Sequence, residues 1–397
     1  MLIGLNGQRL LTSEPAAGPE KYTYNIYKAL AGVDKVNKYI IYFSDYPSNA
    51  YIKDLTQNNN NFSFKVLRSR ISWTQVALAK QLFKDKLDVF FTPVHTMPII
   101  RPAKAKYVSM IHGLEFKYSD PKNILQKVLI GKPELYNCVF SDKIIVPSKA
   151  TKKDVIKRRC TDEKSVTVVY EGVGENFYKR PADEVTAIKK KLGIDSEKYF
   201  LFIGTIQPRK NLPATISAFA TLSKENPAFE VQLVVVGKQG WKYEESLNAP
   251  KKYGIEDKVK FLGRVSDEDL PGLISGAASL TNFSLQEGFG LPLLEAMACE
   301  TPCVVSNIPP YKEVCEDLAY YANPSDIQDM KEKMLKILTN NNKELILKAK
   351  ERAADFLWDK SAKETLSVFE DAVKNPQSRF RVFNPTVVFK ILVALFN

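Results

Sequence analysis

Short, almost uninterrupted apolar runs alternate with amphipathic segments along the chain, and this alternation restricts the fold more than any other property of the sequence. Met1–Gly7, Tyr39–Ser44, Phe62–Leu67, Asp88–Pro93, Tyr107–His112, Lys143–Pro147 and Ser165–Tyr170 read as strands of a first half. Tyr199–Ile206, Val231–Gly237, Lys260–Gly263, Ala278–Ser284 and Pro302–Ser306 read as strands of a second. Strands that are apolar on both faces belong to parallel sheets covered by helices on both sides. Segments such as Lys21–Ala31, Leu212–Lys224 and Lys331–Leu338 carry the helical period between them. At 397 residues the chain is too long for one core. The expected fold class is α/β, with two doubly wound, Rossmann-like domains at residues 1–180 and 181–373. The joint falls near Gly172–Asp195, where Gly, Pro and charged residues cluster. Ligands in open α/β sheets bind beyond the carboxyl ends of the strands, so the cleft between two such domains is the expected site.

Composition removes several classes. A hydrophobic content of 45% and a charged content of 26% are those of an ordinary soluble protein. There is no run of about 18 apolar residues, so no membrane-spanning helix is predicted. The first residues enter a strand-like segment, and Arg9 interrupts any signal-peptide core. Five cysteines, at positions 138, 160, 299, 303 and 315, are odd in number and form no C-x-x-C pair. They read as reduced, buried thiols of a cytoplasmic protein, with no metal site expected.

The net charge of +12 is unevenly placed. Residues 1–180 hold 29 Lys and Arg against 16 Asp and Glu, whereas residues 181–397 hold 28 against 29. Such a field attracts an anionic membrane surface or an acidic acceptor; a solvated basic surface with no dedicated partner is the alternative. No basic stripe is interleaved with aromatics, so no nucleic-acid partner is expected. The tail, residues 374–397, has no acidic residue after Lys374 and ends in the apolar run Val387–Phe396. It is too short to span a bilayer and suits either the membrane interface or packing on protein. The expected location is cytoplasmic, peripheral on the inner face of the membrane.

Two motifs carry the chemistry. In Glu287-Gly-Phe-Gly-Leu-Pro-Leu-Leu-Glu295, Gly288 and Gly290 let backbone approach a ligand, and Pro292 suits the first turn of a helix. A helix start offers N–H groups and a positive dipole end to a phosphate. Glu287 and Glu295, one in the loop and one a turn into the helix, are then placed to accept hydrogen bonds from hydroxyls. A molecule with both phosphates and hydroxyls is a nucleotide sugar. The second motif is Gly204-Thr-Ile-Gln-Pro-Arg-Lys-Asn211, directly after the apolar run Tyr199–Ile203. There Arg209 can grip a diphosphate bidentately while Lys210 acts as a point charge. His95, His112 and Ser148 all fall at the carboxyl ends of expected strands, the functional edge of such a sheet.

Both motifs, the context Ala296–Val305 and the closing Phe356-Leu-Trp358 helix resemble the family 4 retaining glycosyltransferases, in a mannosyltransferase-like form, over roughly residues 1–373. The resemblance implies the GT-B architecture, two Rossmann-like domains facing a central cleft, with the last helix, about 358–373, packing back on the first domain. It implies hexose transfer from a nucleotide-diphosphate sugar, GDP-mannose first and a UDP-sugar next. The implied acceptor is a glycan or lipid-linked glycan of a cell-surface polysaccharide. No metal and no cofactor besides the donor co-substrate are implied. His112, Arg209, Lys210 and Glu287 would be the catalytic residues, with the two cations on the diphosphate and Glu287 on the sugar hydroxyls. Backbone N–H groups around Gly288, Phe289, Gly290 and Leu291 would lie near the phosphate, and Glu295 on the ribose. Gly18 would belong to a glycine loop by the diphosphate, His112 would approach the donor sugar, and His95 and Ser148 are candidates for the acceptor side. The departing diphosphate would itself accept the acceptor's proton, a front-face mechanism. Four features depart from the family pattern: Ala17-Gly-Pro-Glu-Lys21 lacks paired glycines, Gly113 stands where an Asp follows the His, Glu300 replaces a small Gly, and Lys312-Glu-Val314 replaces Pro-Glu-Val. The competing readings are a nucleotide-sugar epimerase on the same fold and a non-catalytic nucleotide- or nucleic-acid-binding protein.

Overall fold

The structure, a computed structural model, describes residues 1–11, 18–47, 50–57, 59–93, 97–113, 137–138, 140–157, 161–228 and 230–375. The chain forms two compact units. Met1–Gly172 and the helix Trp358–Lys374 belong to one, and Val173–Leu357 forms the other. The first unit thus ends at Gly172, a little before the expected 180. The tail from residue 376 lies outside the described residues.

The first unit is built on a seven-stranded sheet of β1 (Leu2–Asn6), β2 (Lys38–Phe43), β3 (Phe62–Val66), β4 (Val89–Thr92), β5 (Lys106–Met110), β6 (Lys143–Val146) and β7 (Val166–Val168). The strand order is β3-β2-β1-β4-β5-β6-β7, and every pairing is parallel. β1, β4 and β6 are buried on both faces, which accounts for their unbroken apolar sequences. One layer holds Tyr42, Leu82, Phe90 and Tyr107. On the other, helix Gly18–Val33 packs against helix Trp358–Lys374. There Tyr22 meets Trp358 at 5.8 Å between ring centroids and Phe91 meets Phe369 at 5.3 Å. Ser361 Oγ donates to the Tyr170 carbonyl at 2.5 Å, fastening the start of the returning helix.

The second unit carries a six-stranded parallel sheet of β8 (Lys198–Ile203), β9 (Val231–Val236), β10 (Val259–Gly263), β11 (Ser279–Asn282), β12 (Cys303–Ser306) and β13 (Tyr320–Ala322), ordered β10-β9-β8-β11-β12-β13. Its core joins Phe200 and Phe202 of β8 to Phe219, Leu222, Leu233 and Met334. β13 has no counterpart among the strands expected from sequence. It has three residues, two of them only half-buried, and it exists because β12 offers an edge, Val304 opposite Tyr320.

In each sheet the order reverses once, between β1 and β4 and between β8 and β11. At such a switch point neighbouring loops leave in opposite directions and open a crevice. One departure from the family pattern finds its explanation here. Glu300 follows helix Leu291–Ala298 in the left-handed region, at φ 55°, where a helix end favours glycine. Its side chain pairs with Lys350 at 2.7 Å.

The four described cysteines are buried and free, and Cys160 lies outside the described residues. Burial pushes the Cys299 and Cys315 thiols up to about 12. Among the described residues no helix is long and apolar enough to cross a membrane.

Candidate functional site

The two sequence motifs leave the carboxyl ends of β8 and β11, adjacent strands at the second unit's switch point. After β8 the chain continues to pair with β9 beyond the strands proper: Gly204 N donates to Val236 O and Ile206 N to Lys238 O, each at 2.9 Å. A 3₁₀ turn, Pro208–Lys210, follows, and Asn211 takes the left-handed conformation at φ 56°, which asparagine tolerates. Asn211 Nδ2 donates to Pro324 O at 2.8 Å, and helix Leu212–Glu225 begins. After β11 the loop runs to helix Leu291–Ala298, with Pro292 in its first turn. Leu285 N donates to Arg209 O at 2.8 Å and joins the two loops.

Glu287 is the centre of the site. Its Oε2 accepts from Arg209 Nη1 at 2.7 Å, and its Oε1 takes the Lys210 ammonium. Ser284 Oγ donates to Oε1 at 2.7 Å and Tyr311 OH to the same atom at 3.3 Å. Gln207, with its amide oxygen toward the guanidinium, accepts from Arg209 Nε at 2.8 Å and Nη2 at 3.1 Å. The side chains of Arg209, Lys210 and Glu287 are 13%, 9% and 9% exposed, so the three charges interact with little solvent screening. Burial pushes the Glu287 carboxyl up, but Lys210 and then Arg209 outweigh it and hold it down at about 2, against an ordinary 4.5. Its pairing therefore contributes stability above pH 4.5 and loses that contribution as pH falls toward 2. Burial first, and the Glu287 charge second, push the Tyr311 phenol well up, so Tyr311 acts as a neutral donor. Together Arg209, Lys210 and Glu287 carry one net positive charge, suited to an anionic ligand with hydroxyls.

The rest of the Glu287–Glu295 segment sorts by side chain. Gly290 has φ +124°, and a Cβ on it would lie 3.0 Å from Tyr311 Cε1, so glycine is required there. Phe289 is buried, and its ring meets Phe356 at 5.8 Å. Gly288 precedes it in the loop, and Leu291 opens the helix. Glu295 sits in the second turn and is 4% exposed.

In the first unit Gly18 starts helix Gly18–Val33, where a Cβ would meet nothing within 4 Å, so packing does not demand this glycine. His112 follows β5 and is held from both sides: Nε2 donates to Pro93 O at 2.9 Å, and Nδ1 faces Glu171 Oε1 at 3.4 Å. The Tyr22 ring meets the imidazole edge-on at 4.9 Å. Glu171 thus supplies the carboxylate that Gly113 lacks. Ser148 is buried and caps helix Lys149–Lys157, its Oγ accepting from Thr151 N at 3.0 Å, a structural duty. His95 lies outside the described residues. Among the described residues no group of three or more His, Cys, Asp or Glu is placed to hold a metal.

Sequence reasoning missed Gln207, Ser284, Tyr311 and Glu171. Ser284 stands three residues before Glu287 and belongs to the same loop, a spacing that could have revealed it. Tyr311 and Glu171 reach their partners from 24 and 59 residues away, and only the fold brings them together.

The family model for glycosyl transferases group 1 matches residues 184–354, and that for Glycosyltransferase Family 4 matches residues 16–176. The chain belongs to this glycosyltransferase family, and its two Rossmann-like units are those of the GT-B class. It is 28% identical over 247 residues to O-antigen chain mannosyltransferase B of Escherichia coli, covering 62% of this chain and 65% of that one. It is 31% identical over 240 residues to O-antigen chain mannosyltransferase RfbU of Salmonella typhimurium, covering 59% and 60%. The matched region thus spans less than two thirds of either relative. The crystal structure of Anabaena Alr3699/HepE in complex with UDP and glucose superposes with a TM-score of 0.71 at 18% identity, over 94% of this chain and 100% of that one.

Proposed function

We propose that this protein is a retaining glycosyltransferase that moves a hexose, mannose from GDP-mannose first and a sugar from a UDP donor next, onto a glycan or lipid-linked glycan at a cytoplasmic, anionic membrane surface. The observation that carries this reading is the buried Arg209–Lys210–Glu287 cluster at the β8/β11 switch point. Arg209 and Lys210 hold the donor diphosphate, and Glu287 turns its remaining acceptor capacity to the sugar hydroxyls. Backbone N–H groups from Gly288 to Leu291 face the phosphate and Glu295 the ribose. The bond between the anomeric carbon and the leaving phosphate oxygen breaks, and the acceptor oxygen bonds to that carbon on the same face. The acceptor's proton passes to the departing diphosphate, whose growing charge the two cations stabilise in place of a metal. Within the first unit, Glu171 orients the His112 imidazole. The mannosyl donor is supported by the names of the two relatives, and the UDP alternative by the ligand in the Anabaena structure.

Donor screening tests this. A bound donor at a hundredfold excess over its Kd stabilises by about 2.7 kcal/mol, which shifts Tm by roughly 5–10 °C for a domain of this size. GDP-mannose is expected to give the largest shift among GDP-, UDP- and ADP-sugars, and Glu295→Ala to abolish it. Product NMR should show the donor's anomeric configuration kept, at a rate unchanged by EDTA. No shift with any donor, with Glu295→Ala indistinguishable from wild type, would refute the assignment.

A further inference from the structure

The first unit displays an apolar patch that its core does not use. Ile71, Val76, Ile99 and Ile100 are 87%, 45%, 68% and 72% exposed. They lie on two adjoining segments. Ser72 opens the helical turn Trp73–Leu78, and from that turn Gln75 Oε1 accepts from Ile99 N at 2.9 Å while Gln75 Nε2 donates to Met97 O at 3.3 Å. The Ile99–Ile100 loop is therefore clipped beside the turn that carries Val76. Scattered single apolar residues on a surface are ordinary, but four large aliphatics on two hydrogen-bonded segments form a contiguous feature.

The charge around the patch is mostly of one sign, the exposed Asp45, paired with Arg68 at 3.4 Å, being the exception. Residues 62–104 contain eight Lys and Arg against two carboxylates, Asp85 and Asp88. Both carboxylates are turned to internal partners: Asp85 accepts from Tyr42 OH at 2.7 Å and from Lys65, and Asp88 accepts from Leu2 N at 2.7 Å. Arg70, Lys80 and Lys104 remain exposed beside the aliphatics. A second copy of the chain would bring like charge against like. An anionic bilayer offers both what the aliphatics require and what the cations require.

We propose that the face formed by Ile71, Val76, Ile99 and Ile100 with its rim of cations is the surface by which this protein lies on an anionic membrane. The inference deepens the proposed function and rests on it for its purpose, although not for its test. The Ile99–Ile100 loop follows β4, and Pro93 at the start of that connection accepts the His112 hydrogen bond.

Co-sedimentation of the full chain with vesicles of phosphatidylcholine alone, or with 30 mol% phosphatidylglycerol, as ~100 nm liposomes, tests this. Wild type is expected to bind the anionic vesicles and not the neutral ones. Ile99→Asp with Ile100→Asp should weaken binding at least tenfold. The charge variant Arg70→Glu with Lys104→Glu should weaken it by roughly fivefold or more per cation. Both variants should retain Tm and donor binding, because the residues are exposed and outside the site. Undiminished binding of both variants would overturn the proposal and assign membrane contact elsewhere, for example to the 374–397 tail. Equal binding to neutral vesicles, or a wild-type dimer that Ile99→Asp with Ile100→Asp dissociates, would overturn it as well. Failure of vesicle binding with an intact donor shift leaves the transferase reading standing; the reverse result removes that reading alone.

Discussion

Replacing Lys210 by methionine is expected to lower turnover by about 10²–10³-fold while the donor KM changes less than tenfold. Methionine keeps the buried stem, which packs close to Gly204: a Cβ there would lie 3.3 Å from Lys210 Cε. What the variant loses is the ammonium on Glu287 Oε1, and with it the net positive charge of the cluster. In the proposed reaction this ammonium stands beside the donor diphosphate. Contacts that strengthen as charge develops on the leaving diphosphate lower kcat when removed, whereas uniform contacts raise KM. Glu287→Gln is the counterpart. It leaves both cations and removes the opposing charge, so the nucleoside diphosphate should bind more tightly, by about tenfold, while turnover falls through loss of the sugar contact. Initial-rate kinetics with calorimetric titration of the nucleoside diphosphate separates the two. A Lys210→Met enzyme with kcat within threefold of wild type would sink the electrostatic role.

Gly237→Ala should be the most damaging single methyl group in the second unit. Gly237 has φ +148°, and a Cβ built on it lies 2.0 Å from Gly204 O and 2.6 Å from Gly204 C. Both are backbone atoms, so no rotamer change relieves the clash. The β8 and β9 ends must separate, and the Val236–Gly204 and Lys238–Ile206 hydrogen bonds that hold the cation loop go with them. A loss of about 3–5 kcal/mol is expected, at the upper end for a single substitution, or roughly 10 °C in Tm. Gly254→Ala is the control. It too has positive φ, at +67°, but its Cβ would meet nothing within 4 Å, so the cost is conformational alone, about 1–2 kcal/mol. Equal Tm losses in the two variants would show that close approach of the strands is not what Gly237 provides.

How much of this was legible in the sequence depends on the range of the interaction. Continuous apolar strands announce themselves locally, and every strand expected from sequence is present, whereas β13, borrowed from the edge of β12, is invisible without its partner. The meeting of Arg209 and Lys210 with Glu287 follows from topology, since doubly wound order sets β8 beside β11. Their ion pairing does not. Sequence reasoning sent the cations to a phosphate and Glu287 to a sugar, and the spacing holds no sign that they pair with one another. Ser148 was legible in another way: a serine directly before a helix is an N-cap by local rule, and its Oγ accepts from Thr151 N. The Glu171–His112 pairing joins residues from separate strand ends, and no local pattern records it.

The return of helix Trp358–Lys374 to the first unit has a consequence for synthesis. Translation runs at about 5–20 residues per second, so roughly 10–40 s separate release of the first sheet from release of the helix that covers it. During that interval helix Gly18–Val33 lacks its neighbour, and Tyr22 and Phe91 lack the rings of Trp358 and Phe369. The second unit, continuous in sequence, needs nothing made after it. On the ribosome the later unit can therefore mature first, leaving the earlier one in the care of whatever shields nascent apolar surface.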